Sequence, residues 1–250
     1  MRNLSRILFT LLFIVINFNL FAIEISDTTT TALTDSIDPK VILDKYVNSI
    51  GGKDAILKID DRTIIMRGTA MGQSITLIVK QKAPNKLRQE VKAGTMEQLV
   101  ICDGEKAIMK MMDQKIEVKD KELEALLLEA NIDFLTDPEK FGIKLSYAGI
   151  EKVNDKDAYK IKMILPSGLI WYAYFDKESG LKVKEDREIE TKMGRGQQSI
   201  TYDDYKDVNG VKYPFKMVQS FGGQSVDVTV SSIKVNKGLS NDLFVIPDDK

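Results

Sequence analysis

A chain of 250 residues with 43% hydrophobic content can bury one full core as a single domain. Its 36 basic and 37 acidic residues nearly cancel, which leaves no basic footprint for nucleic acid. With no histidine and one cysteine, imidazole acid–base catalysis, the Ser-His-Asp triad and thiolate metal sites all fall away.

Residues 1–22 have the layout of a secretory signal peptide: Arg2 and Arg6, an apolar run broken by Asn17 and Asn19, then the small Ala22. The run is short of the ~20 apolar residues that a membrane span needs. Removing Arg2 and Arg6 takes the formal charge from −1 to −3. No cysteine stands at the cleavage point to carry a lipid anchor, so a soluble periplasmic protein is expected. The one thiol, Cys102, lies in an apolar run and is expected to be buried and structural. Residues 23–37 are Thr-rich without apolar periodicity and read as a flexible leader. The folded domain is expected over 38–250.

Asp38-Pro39 can cap and start a helix over 39–50, with Ile42, Tyr46 and Ile50 on one stripe and Gly51-Gly52 as its stop. A short turn near 54–58 follows. From Arg62 onward the period changes to two. Ile75, Leu77 and Val79 alternate with polar or outward residues, as do Ala107, Met109 and Met111. The same holds for Tyr159, Ile161, Met163 and Leu165, and for Val226, Val228 and Val230. Ile233 and Val235 continue the last set one residue late, which predicts a bulge at Ser231-Ser232. Turn signals such as Pro84-Asn85, Asp103-Gly104, Ser179-Gly180 and Asn209-Gly210 separate the runs. One helical segment interrupts them, capped by Asp120 and carrying Leu123, Leu126, Leu127 and Leu128 as far as Asn131.

The fold class is therefore mainly β (α+β): a large curved antiparallel sheet or incompletely closed barrel of about 11–12 strands. Two or three helices must cover its open mouth.

The carboxylate pairs Asp203-Asp204, Asp155/Asp157 and Asp248-Asp249 are read as turn or terminal residues rather than catalytic or calcium sites. Gly68, Gly72, Gly194 and Gly196 are read as turn glycines, because no helix start follows them to cradle a phosphate. Methionines Met66, Met71, Met96, Met109, Met111, Met112, Met163, Met193 and Met217 fall mostly in strands. They suit a deformable apolar cavity as well as ordinary core filling. In the strand around Trp171, Ala173 and Phe175, Tyr172 and Tyr174 face the other way, so both faces should be covered.

The segments Tyr202-Asp-Asp-Tyr-Lys-Asp-Val-Asn-Gly-Val-Lys-Tyr-Pro-Phe215 and Ile233-Lys-Val-Asn-Lys-Gly-Leu-Ser-Asn-Asp-Leu-Phe-Val-Ile-Pro247 resemble the end of the LolA/LolB-like lipoprotein-carrier family. Tyr46-Val-Asn-Ser-Ile-Gly-Gly52, Gln81-Lys-Ala-Pro-Asn-Lys-Leu-Arg-Gln-Glu90 and Tyr174-Phe-Asp-Lys-Glu-Ser-Gly-Leu181 agree with it in order. The resemblance implies a periplasmic carrier that holds acyl chains of lipids or lipidated proteins and moves them toward the outer membrane. No covalent step, cofactor, metal or nucleic acid enters. Ile75, Leu77, Val79, Met109, Met111, Ile161, Met163, Tyr172 and Tyr174 are the expected cavity residues. Ile42, Tyr46, Leu123, Leu126 and Leu127 are the expected lid, with Arg67 or Arg88 holding it. Membrane-bound loading and acceptor complexes are the implied partners, and a monomer is expected. The chain is longer than the usual carrier and lacks the acceptor's lipidated cysteine. A binding or sensing module on the same barrel is the alternative, and a carboxylate-based hydrolase a distant third.

Overall fold

The structure, a computed structural model, describes residues 37–70, 72–191 and 194–247. The expected signal peptide, most of the leader, Met71, Met193 and Asp248-Asp249 lie outside the described residues. The chain opens with helices α1 (Pro39–Ser49) and α2 (Lys53–Leu57). A first meander follows: β1 (Asp61–Ala70), β2 (Gln73–Lys82), β3 (Lys86–Ala93), β4 (Met96–Cys102), β5 (Ala107–Met111) and β6 (Gln114–Val118). Helix α3 (Asp120–Ala130) and two 3-10 turns, Phe134–Thr136 and Pro138–Phe141, come next. The second meander is β7 (Lys144–Val153), β8 (Lys156–Ile164), β9 (Ile170–Asp176), β10 (Lys182–Thr191), β11 (Gly194–Val208), β12 (Val211–Phe221) and β13 (Gln224–Val235).

All thirteen strands form one antiparallel sheet in the order β6-β5-β4-β3-β2-β1-β13-β12-β11-β10-β9-β8-β7. Each meander pairs consecutive strands, and β1 with β13 joins the two. The sheet does not close. Its edges, β6 and β7, are consecutive in the chain, and the segment between them is the one that carries α3 and the 3-10 turns. The helical interruption therefore crosses between the edges, where closing strands would otherwise pair.

Local chemistry explains most boundaries. The Asp38 carboxylate accepts from Lys40 N at 2.9 Å with Pro39 at the first helical position, which starts α1. Gly51 ends it: its φ is +130°, and a Cβ there would meet Gly210 O at 2.2 Å. Both Asn209 (φ +54°) and Gly210 (φ +83°) take left-handed backbone, as a tight hairpin between β11 and β12 needs. The bulge falls at Ser231. Ile65 pairs with Ser232 and Met66 with Val230, while the Ser231 hydroxyl donates to Ile65 O at 3.0 Å.

Three sequence expectations need correction. Asp120 does not cap α3 with its side chain; Lys119 holds the cap position, and Asp120 enters the helix at φ +53°. Gly68 and Gly196 are strand residues, each pressed against a neighbour: Asp227 O for the first, the Phe221 ring for the second. Asp203-Asp204 lies inside β11 rather than at a turn.

Packing divides the concave face into zones. Under α3, Leu126 and Ala130 bury against Leu87, Val100, Cys102 and Ala107. Under α1 and the first 3-10 turn, Ile42 and Leu43 bury against Ile161, Met163, Trp171 and Phe175. Between these zones the sheet is not filled.

Candidate functional site

The unfilled zone is a cavity of about 340 Å3. Alternation along the central strands points Ile64 and Met66 of β1, and Leu77 and Val79 of β2, into it. Met217 of β12 and Val228 of β13 face them. The cover comes from Tyr46 and Val47 of α1, Ile50 at its C-cap, Ile56 of α2, and residues 131–136. Val226, Val228 and Val230 pack with Ile75, Leu77 and Val91 at one end of this apolar lining.

One wall is polar. β10 carries a bulge between Lys182 and Lys184, and Lys182, Glu185 and Arg187 form one buried group on its concave side. Lys182 Nζ donates to Glu185 Oε2 at 2.7 Å. Arg187 binds both Glu185 and Glu129, the latter near the end of α3, and stacks at 4.5 Å over the Trp171 ring. Burial, reinforced by the Arg187 charge, pushes the Lys182 ammonium down to about 8. On β11, Asp204 at φ +55° shifts the phase so that Tyr202 and Tyr205, three apart, both line the cavity. Burial raises the Tyr202 phenol to about 12 and also raises Tyr205 and Tyr46. Tyr205 Oη donates to Lys182 O at 2.7 Å.

The opposite wall continues the polar tie. Arg62 Nε donates to Gln81 Oε1 at 2.6 Å, and Gln81 Nε2 donates to the carbonyl of Glu129 at 2.6 Å. Residue 129 is thus held twice, by its carboxylate from β10 and by its carbonyl from β2. It is where α3 leads into the 131–136 cover.

Of the expected cavity residues, Leu77 and Val79 line this cavity. Ile75 packs on its apolar end. Met109 lies beneath α3, and Ile161 and Met163 beneath α1, on the concave face but under helices. Met111 is half-buried at the end of β5. Tyr174 lies on the convex side, where its hydroxyl donates to Asp186 Oδ2 at 2.7 Å and packs with Val153, Ala158 and Tyr172. That face is covered by Lys160 and Lys184, whose ammonium groups stand 5.2 and 4.7 Å from the Tyr174 ring.

Among the expected lid residues, Tyr46 lines the cavity and Ile42 is core. Leu126 is fully buried against the sheet, with Leu123 and Leu127 beside it. Arg67 is exposed on β1. Arg88 binds Glu90 and donates to Leu243 O. The arginines tied to the cover are Arg62 and Arg187.

The polar members Gln81, Gln89, Lys182 and Arg187 were not singled out from the sequence. A signal existed for two of them. Gln81 follows Leu77 and Val79 in the inward set, and Gln89 stands between inward Leu87 and Val91. A glutamine inside an apolar alternation marks a buried polar group that needs a partner. Among the described residues no group of three or more acidic or cysteine side chains could hold a metal ion. No described helix is long and apolar enough to cross a membrane.

No family model matches the sequence, and no curated protein matches it. Solved structures do resemble it. A LolA superfamily protein from Nitrosomonas europaea is 14% identical and superposes with a TM-score of 0.55 over 84% of this chain and 99% of that one. A DUF1329 family protein from Desulfovibrio piger, also 14% identical, gives 0.54 over 82% and 96%. With the open curved sheet and its crossing cover, these superpositions identify the fold of this chain as LolA-like.

Proposed function

We propose that this protein is a periplasmic carrier that holds acyl chains of lipids or lipidated proteins in its central cavity and moves them toward the outer membrane. The observation that carries this reading is the cavity of about 340 Å3, walled by Ile64, Met66, Leu77 and Val79 and roofed by α1 and 131–136. That size falls in the ~300–1,000 Å3 range of small-molecule sites. Transfer of a ~16-carbon chain from membrane to water costs on the order of 10 kcal/mol, at ~0.8 per methylene. A carrier must replace lipid contact with equivalent protein contact, and an apolar lining does so without changing any bond. The LolA-like fold supports the same reading.

The test is native mass spectrometry with lipid extraction, on protein prepared without detergent, beside a variant in which Val79→Trp fills the cavity. Bound acyl species in the parent that are lost in the variant, with unchanged β-sheet circular dichroism, support the carrier. A parent protein that carries no acyl species and ignores an added apolar fluorescent probe overturns it, and favours a partner-binding module.

A further inference from the structure

The cavity holds polar groups that its own protein leaves unsatisfied. Gln89 (6% exposed) and Tyr213 (5% exposed) both line it, and neither Gln89 Oε1 nor Tyr213 Oη has a hydrogen-bond partner. Buried polar atoms are nearly always paired, so two orphans facing one cavity point to a ligand that completes them. Arg62 lies beside Tyr213, its guanidinium carbon 5.7 Å from the ring centroid. Its Nε is engaged by Gln81 at 2.6 Å, and its terminal N–H groups meet no acceptor among the described residues. It forms no ion pair there either, whereas Arg187 and Lys182 share the carboxylates of Glu129 and Glu185. The charged side chains facing the cavity are three bases (Arg62, Lys182, Arg187) and two acids (Glu129, Asp133), while Lys212, between inward Val211 and Tyr213 on β12, is exposed. Glu185 behind them adds a third acid, so bases and acids are equal in number, and Lys182 and Arg187 are the bases that hold Glu185 and Glu129. Asp133 makes no ion pair among the described residues, so Arg62 is the cavity base left without a carboxylate in contact.

A guanidinium with its terminal fork free is matched to an oxyanion, which it binds through two parallel N–H bonds. The Tyr213 hydroxyl can donate to the same group. The Gln89 amide, two strands away on β3, can turn to offer either its oxygen or its N–H to the polar linkage behind a head. The apolar wall of Ile64, Leu77 and Val79 lies alongside.

We infer that the cavity is a site for an anionic amphiphile, its oxyanion head held by Arg62 and Tyr213 and its chain laid along β1 and β2. This rests on the carrier reading above and narrows it from acyl chains in general to those bearing a carboxylate or phosphate head.

The experiment measures binding of three probes sharing one 18-carbon chain, below their micellar concentrations: oleate, oleyl alcohol and 1-oleoyl lysophosphatidate. Parent protein is compared with Arg62→Gln, Arg62→Lys and Tyr213→Phe. The expected result is at least about tenfold tighter binding of an anionic probe than of the alcohol, the scale of one charge-assisted hydrogen-bond set. Arg62→Gln should abolish that preference, bringing the anions to the affinity that the same variant shows for the alcohol, and Arg62→Lys should restore part of it by charge without the fork. Tyr213→Phe should weaken anion binding without lowering the melting temperature, since it removes a hydroxyl that holds nothing. Whichever anion binds more tightly, oleate or lysophosphatidate, assigns the head as carboxylate or phosphate. Equal binding of alcohol and anions, or loss of both in Arg62→Gln protein that unfolds cooperatively, overturns the inference but leaves the carrier standing. Binding of none of the probes overturns both.

Discussion

Lys182 shows what a polar side chain undergoes in this wall. It is 9% exposed, and burial brings its ammonium down from the ordinary 10.5 to about 8. Below pH 8 the folded and unfolded chains both carry the proton, and the cost of burying the charge is fully present. Between about 8 and 10.5 the folded chain sheds it first, so the unfolded state binds more protons and stability rises with pH. The tyrosines act in the opposite sense. Tyr202 keeps its proton to about 12 while an unfolded tyrosine loses it near 10.0, so stability falls above that point. Denaturant melts across this range should show stability climbing from pH 8, by roughly 2 kcal/mol at one pKa unit per ~1.4 kcal/mol, then declining past 10. Lys182→Met should flatten the climb and keep the decline. A variant that climbs as the parent does would place the titration elsewhere. Asp61 is a contrasting case, in which a buried carboxylate is fully used. It is 3% exposed and accepts from the backbone N–H groups of Lys237, Gly238 and Leu239 at 2.8–3.1 Å, which fixes the turn after β13.

At the scale of elements, the cover has a strong side and a weak side. Helix α1 with its C-cap buries Ile42, Leu43, Val47 and Ile50, worth roughly 6–12 kcal/mol at ~1.5–3 per side chain. Helix α3 is equally committed through Leu126, Leu128 and Ala130. Residues 131–136 bury no side chain completely and hang from Glu129. The part of the cover held least by burial is therefore the six-residue segment rather than the leucines of α3. Leu126→Asp should disrupt the sheet core rather than loosen a lid. Glu129→Gln should cost about 1–3 kcal/mol, because it leaves Arg187 with one carboxylate fewer in a buried site. It should also speed amide hydrogen exchange at 131–136 with little change in β3 and β4. An exchange increase spread evenly over the sheet would refute Glu129 as the tether of 131–136. The strands were legible because period-two alternation, turn dipeptides and the late phase of Ile233 and Val235 are local signals. The division of labour among helices was not. Leu123, Leu126 and Leu127 look alike in sequence whether they cover a cavity or fill a core, and only the Cys102 to Ala107 hairpin beneath them decides.

At the scale of the molecule, one topological fact organises the rest: the two sheet edges, β6 and β7, are joined by the covering segment itself. The sequence showed helix, strands, helix, strands, and that order was enough to place helices over a mouth. It held no signal for the pairing of β1 with β13, which brings residues far apart in the chain together, or for how the Arg187–Glu129 pair spans the cavity. Charge pairs of that kind depend on sheet curvature, which alternation does not encode. The architecture offers two routes into the cavity, beneath α1 or beneath 131–136, and they can be separated. α1 is tied to the β9–β10 turn: Ser49 Oγ donates to Ser179 O at 2.8 Å and Lys45 Nζ to Lys177 O at 2.6 Å. A Cβ on Gly180 would meet Ser49 Oγ at 2.6 Å and Lys45 Cγ at 2.9 Å, so a Ser49→Cys, Gly180→Cys bridge joins neighbouring positions once those side chains shift. The φ of +74° at Gly180 adds a strain of about 1 kcal/mol to that variant, which a stable scaffold tolerates. Cys102 is buried with a raised thiol pKa and will not compete for the bridge. With α1 stapled, an apolar fluorescent probe should still enter and leave at the rate seen after reduction, because the route beneath 131–136 stays free. Exchange that stops on oxidation and resumes with reductant would instead make α1 the gate and assign 131–136 to the fixed wall.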